Sequence, residues 1–326
     1  MRPGLKRGLT LGLALLALVI AAPVAWFAWG WFAPTVMEEE RAFIVPSGSS
    51  LTQVAGALEE AGHIESADRF LLGAKLFGSD DPIKAGEFLL PAPGGGAQIL
   101  SALQTGDVIL RFVTIPEGTP SIIVHELLMA EPLLTGEVAV PEEGSVLPES
   151  YDFERGESRA AVLTRMQAAM TETLAELWEA RSDDIAVTSP RDAVILASVV
   201  EKETGVPQER RMVAGLYSNR LRQGIRLQAD PTIIYPITKG KPLGRRIRRS
   251  EIKAVNGYNT YSMDGLPVGP ITNPGRESIA AVLNPVETDA LFMVADGSGG
   301  HAFAATLAEH NANVETWRAF RRENGI

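Results

Sequence analysis

The chain of 326 residues contains no cysteine. That absence excludes disulfides, thiolate metal sites and a thiol nucleophile. Histidine is scarce: His63, His125, His301 and His310 are all there is, and none has the two-histidine helical spacing of a zinc hydrolase. No metal site and no cofactor are therefore expected. Asp296-Gly297-Ser298-Gly299 faintly echoes a calcium loop, but a hairpin turn accounts for it better. A G-x-S-x-G elbow is also missing, which argues against a Ser–His–Asp hydrolase. Positive charge is in short supply, 30 Lys and Arg against 40 Asp and Glu for a net charge of −10, and an acidic body argues against a nucleic-acid partner.

What is present begins at the N-terminus. Arg2, Lys6 and Arg7 precede an uncharged stretch at 8–33 that ends in Trp26, Phe27, Trp29, Trp31 and Phe32. About 20 apolar residues cross a bilayer, and tryptophans gather at its interface. A cleaved signal peptide with Ala21-Ala22 near the cut site is the alternative, but the apolar run continues well past it. Basic residues before the run and Glu38-Glu39-Glu40 after it predict a single-pass inner-membrane anchor with a cytoplasmic stub at 1–7, a linker at 34–40 and the remainder outside, in the periplasm. One basic island, Lys239, Lys241, Arg245, Arg246, Arg248 and Arg249, reads as a solvated loop or as a contact for anionic polymer or lipid head groups.

Past the anchor, the pattern predicts a strand at 43–46, a helix capped by Ser50 and stopped by Gly62, and a helix at 67–77. A strand at 87–90, a helix near 97–103 and a long strand at 108–115 follow. This is a small α+β module with no nucleophile. From Thr119 on, helices are predicted at 121–129, 158–180, 191–204 and 207–222, with Asp230 and Asn273 as N-caps ahead of proline. A hairpin is expected to join 291–295 to 301–304. The fold class is α+β, the second half mostly helical.

The segment Val194–Thr204, VILASVVEKET, is a near-continuous apolar helix that delivers Glu201 and Glu203 at its end. A carboxyl group in an apolar setting resists ionisation, and a carboxyl kept protonated is what a general acid needs. At about 100° per residue the two glutamates point to nearly opposite faces. Small neighbours, Ala197 and Ser198, leave room for a ligand beside Glu201; bulky Leu196 and Val199 suggest packing around Glu203. A structural role for both stays open. Asp230 is the candidate second carboxylate or a helix cap. Tyr258-Asn259-Thr260-Tyr261 and Asn273 offer groups suited to sugars, or to turns.

LASVVEKETGVPQERRMVAGLYSNRLRQGIRLQADPTIIY, then YNTY, GLPVGPITNPGRESI and GGHAFAATLAEHN, resemble in order the endolytic murein transglycosylases, the YceG-like family. IPEGTP at Ile115–Pro120 and EGSVLPESYDF at Glu143–Phe153 match upstream signatures, and the 41–110 module resembles the LysM-like subdomain of these proteins. The resemblance implies a catalytic domain at 111–326 that cuts between N-acetylmuramic acid and N-acetylglucosamine of peptidoglycan without water. One glutamate protonates the leaving oxygen, then takes the proton of the muramoyl C6 hydroxyl as it attacks C1 and leaves a 1,6-anhydro end. It places that glutamate at the first of E-K-E-T, Glu201, and the groove at Asn219, Gln228, Asp230, Thr232, Tyr258, Asn259, Thr260, Tyr261 and Asn273. Asp230 would then serve structure or substrate positioning. It further implies nascent glycan strands as substrate and peptidoglycan synthases, including penicillin-binding proteins, as partners. Where the family reads H-x-F-S, this chain has His301-Ala302-Phe303-Ala304, which leaves one hydrogen bond in doubt. The variable position of the basic island favours the solvated loop. A muramidase-type hydrolase needing a second carboxylate and a non-catalytic glycan-binding scaffold remain the alternatives.

Overall fold

A computed structural model describes residues 3–33 and 39–325, with side chains described at residue 15 and, within those ranges, from residue 17 onward. The charges of the expected stub and most of the expected linker lie outside the described residues. The chain divides into two compact units, Met1–Arg111 and Phe112–Ile326.

The first unit opens with helix α1 (Pro3–Phe32). Among the described residues, no helix is long and apolar enough to cross a membrane; most side chains in the first half of α1 lie outside that description. Then come β1 (Arg41–Val45), α2 (Leu51–Glu60), α3 (Ala67–Phe77), β2 (Gly86–Leu90) and α4 (Gly96–Thr105). Ser50 starts α2 as expected: its Oγ accepts the Gln53 N–H while Gln53 Oε1 accepts the Ser50 N–H, a reciprocal capping box. Strands β1 and β2 pair antiparallel with Phe43 opposite Phe88, and both rings enter a core with Val54, Leu58, Ile99 and Leu103. Trp31 joins that core because Gly73 and Gly96 carry no side chain. A Cβ on them would lie 2.1 and 2.7 Å from the indole.

The expected long strand at 108–115 is divided. Val108 bridges Phe88, whereas β3 (Arg111–Thr114) pairs with β4 (Ser150–Phe153), so the run changes partners midway. The second unit continues with α5 (Ser121–Ala130) before β4, then α6 (Arg159–Glu179), α7 (Pro190–Glu203), α8 (Arg210–Arg222), α9 (Pro231–Thr238), α10 (Arg249–Ile252) and α11 (Arg276–Leu283). Hairpin β5 (Phe292–Ala295) and β6 (His301–Ala304) aligns Ala295 with His301. A last helix, α12 (Leu307–Asn324), starts at a Thr306–Glu309 capping box that the motif reading passed over. The architecture is mixed α+β, mostly helical in this unit.

Helix α7 is its centre. Ser189 Oγ caps it at the Asp192 N–H, Pro190 occupies the first turn, and every residue from Ala193 to Val200 is buried against α6, α8 and α11. Ser198 Oγ donates to the Ile195 carbonyl and accepts the Ile271 N–H, tying the 266–275 loop to the helix. Asn273 does not cap α11; Gly275 holds that position. Its fully buried side chain accepts the Val146 N–H at 3.1 Å and donates to Thr119 O and Ser121 Oγ at 2.9 and 3.1 Å. Three segments far apart in sequence meet on one amide. The basic island is largely exposed, with Lys241 on Glu126 and Arg245 on Glu251.

Each buried polar group left without a partner costs about 1–3 kcal/mol. Asn273→Ala orphans the Val146 N–H, while Thr119 O keeps the Asn273 backbone N–H and Ser121 Oγ keeps Glu142 O. Its urea unfolding midpoint should therefore fall by the equivalent of about 1–3 kcal/mol; a midpoint at the wild-type value would mean the amide carries no net weight.

Candidate functional site

Two buried hydroxyls build the site. Thr260 Oγ1 lies 2.8 Å from Thr232 Oγ1 and accepts the Ala229 N–H, and Thr232 Oγ1 accepts the Thr260 N–H. This latch fastens the 228–232 turn to the 258–261 turn. Gln228 pays for the geometry with φ 53°, in the left-handed region that a non-glycine residue seldom adopts. Asp230 has helical dihedrals and makes no side-chain cap on α9. Its Oδ1 instead accepts the Tyr261 hydroxyl at 2.7 Å.

Gln228, Asp230 and Tyr261 share a cavity of ≈ 350 Å³ with Glu203, Lys202, Tyr217 and Arg220. Glu203 is the most deeply shielded carboxyl of the lining. Its Oε1 is fully shielded without a hydrogen-bond partner, and Tyr217 bonds to the same carboxyl group. Burial first, and the nearby Asp230 charge second, push the Glu203 carboxyl up to about 7, against weaker opposition from Tyr217 and Arg220. Tyr217 and Tyr261 rise above the ordinary phenol range, chiefly through burial. Arg220 gives its guanidinium to the carbonyls of Leu291 and Leu227 at 2.7 and 2.6 Å, a cation held in place by backbone.

Glu201 is elsewhere. Its Oε2 accepts the Gly275 N–H at the N-terminus of α11 at 3.0 Å, and its Oε1 faces Arg210 at 3.6 Å. It does not line the cavity. The two carboxylates leave α7 on different faces, Glu201 toward the Gly275 N–H and Arg210, and Glu203 toward the cavity.

Of the other nine expected groove residues, Gln228, Asp230 and Tyr261 line the cavity. Thr232, Asn259, Thr260 and Asn273 are 0% exposed and have structural work. Asn259, for example, donates to the carbonyls of Glu251, Ile252 and Ala254 at the end of α10. Asn219 donates to Thr288 O and Ala290 O ahead of the hairpin. Tyr258 packs on Tyr235 with ring centroids 4.8 Å apart. Polar groups that suit sugars also suit turns, and at these positions the turns took them. His301 pairs with Glu209 at 2.8 Å and its N–H donates to the same carboxylate, so it fastens the hairpin. His310 stacks on Phe292, and its pKa is lowered by burial and then by Arg220. Tyr217 and Arg220 went unnoticed in the sequence; the only signal was their i, i+3 placement on one face of α8. Among the described residues, no group of three or more His, Cys, Asp or Glu could hold a metal ion.

An endolytic murein transglycosylase of Bacillus subtilis is 26% identical over 86% of this chain and 85% of its own. One of Streptococcus pneumoniae is 26% identical over 83% of this chain, which spans 57% of that longer relative. A crystal structure of a yceG-like protein from Listeria monocytogenes superposes with a TM-score of 0.51 at 26% identity, over 85% of this chain and 99% of that one. The model of the YceG-like family matches residues 43–316. With the family model covering most of its length, the chain belongs to the YceG-like family.

Proposed function

We propose that this chain is an endolytic lytic transglycosylase of peptidoglycan with Glu203 as its general acid, and Glu201, the first glutamate of E-K-E-T, as the second reading, favoured by its place in the family motif. The observation that carries the residue assignment is a carboxyl raised to about 7 in a cavity it shares with Asp230, Gln228 and Tyr261. Family membership and the names of the relatives support the reaction. Protonated Glu203 gives its proton to the glycosidic oxygen as the C1–O bond breaks. The resulting carboxylate takes the proton of the muramoyl C6 hydroxyl, whose oxygen bonds to C1. No water is consumed, and the enzyme ends in its starting protonation state. Gln228, Tyr261 and Asp230 serve as polar contacts for the glycan, and Lys202 and Arg220 bring positive charge to the same wall.

The uncharged stretch at 8–33, with basic residues before it, supports α1 as a single inner-membrane span with the catalytic unit outside. An anchored cutter would act on glycan strands close to the membrane where they are made. The 41–110 module is then a LysM-like positioning unit, and peptidoglycan synthases, penicillin-binding proteins among them, are the partners the family resemblance suggests.

Two mutants on uncrosslinked glycan strands, with ends identified by mass spectrometry, test the reaction and the acid together. Glu203→Gln should lower formation of 1,6-anhydromuramoyl ends by about 10²–10⁴-fold, the usual weight of a general acid. Glu201→Gln still accepts the Gly275 N–H and should retain most activity. The opposite pattern would return the acid to Glu201, and reducing muramic ends from wild type would mean that water is the nucleophile.

The pH profile follows from the same carboxyl. The acid form is active, so kcat/KM should fall as pH rises through about 7. Asp230→Asn removes a like charge and should move that limb to lower pH; an unmoved limb would deny the coupling. The folded protein also holds this proton between the ordinary value of 4.5 and about 7, where the unfolded chain does not. Glu203 therefore makes stability decline as pH rises across that window, and Glu203→Gln should flatten the decline in thermal midpoint.

A further inference from the structure

Helix α3 presents apolar side chains to the outside, and its position against α1 says what meets them. Leu72 and Leu76 are 47% and 58% exposed. Near the start of α3, the Arg69 guanidinium stands 5.0 Å over the Trp26 ring. At its end, the Phe77 ring is 6.2 Å from Phe27 and 5.7 Å from Phe32. Between them Gly73 abuts Trp31. Residues 69–77 cover about 12 Å of helix, yet everything they touch on α1 falls within 26–32, about 9 Å of axis. Helix α3 therefore packs against the last two turns of α1.

We infer that α3 lies in the surface of the bilayer, with Leu72 and Leu76 inserted and the first unit seated on the membrane at the foot of α1. This rests on the reading of α1 as a span. A helix packed on the exit end of a span sits at the membrane surface, and the level here is that of Trp26 and Trp29, residues that favour the interface. Leu72 and Leu76 are exposed apolar side chains, as are Trp26, Trp29 and Phe32 at the end of α1. Lys75 is exposed in the last turn beside the leucines, as expected of a helix resting on anionic head groups, while Arg69 is paired with Glu65 at 3.1 Å and Asp68 marks the more polar start. The consequence is functional: the unit would stand at a fixed height above the bilayer instead of swinging on its linker.

The cysteine-free chain suits a site-directed test. Single variants Ile20→Cys, Glu60→Cys, Leu72→Cys and Leu76→Cys of the full-length protein are spin-labelled in vesicles of phosphatidylethanolamine and phosphatidylglycerol. Collision rates with oxygen and with a water-soluble nickel chelate are then compared. The expected result is an oxygen-to-nickel ratio raised at 72 and 76 well above that at the solvent-exposed position 60, and highest at 20. Aqueous ratios at 72 and 76 with a lipid ratio at 20 would overturn the surface helix and leave the span standing. An aqueous ratio at 20 would overturn the span, and the inference with it.

Discussion

Desolvation of one carboxyl group at the exit of a buried helix is the constraint on which the rest of the catalytic unit turns. Eight consecutive residues of α7 are removed from water, and the helix ends with Glu203 still under the influence of that apolar surround. Moving its pKa from 4.5 to about 7 corresponds to a penalty on the ionised form on the order of 3 kcal/mol. Hydrophobic packing that stabilises the fold thus also keeps a proton available near neutral pH. Few arrangements make a stronger link between core and chemistry.

The price of that arrangement is the need to hold polar loops still around the cavity. Buried threonine and asparagine side chains do this by satisfying backbone groups: Thr232 with Thr260, Asn259 at the end of α10, Asn273 across three segments. An orphaned amide or carbonyl in these loops would cost as much as a good hydrogen bond supplies. The conformational strain at Gln228 persists because the latch beside it leaves the turn no alternative. Asp230 and Tyr261 then meet in a direct 2.7 Å hydrogen bond at the cavity wall as a result of where the turns are fastened.

Much of the local structure was legible in residue order. Helix α3 has the bounds that its pattern predicts, α7 and α6 differ by about a residue at their ends, and Ser50, Ser158 and Ser189 cap where capping side chains precede apolar periodicity. The hairpin ahead of α12 follows from its turn. Elsewhere the same local chemistry admitted two outcomes. Asp230 and Asn273 each precede proline like N-caps; Asp230 holds that position on α9 but turns its side chain to Tyr261, and Asn273 yields the position on α11 to Gly275 while its side chain bonds across segments. The strand expected at 108–115 broke where its two halves found different neighbours.

Residue order by itself determined the elements, the family signature and the fact that two carboxylates leave α7 on different faces. Those depend on periodicity, caps and spacing, which are properties of neighbouring residues. Which carboxylate meets the cavity and which meets Arg210 and the Gly275 N–H was decided only by packing. Burial and field at a side chain come from segments distant in the chain, Asp230 and Tyr217 for Glu203, and no local pattern encodes their approach.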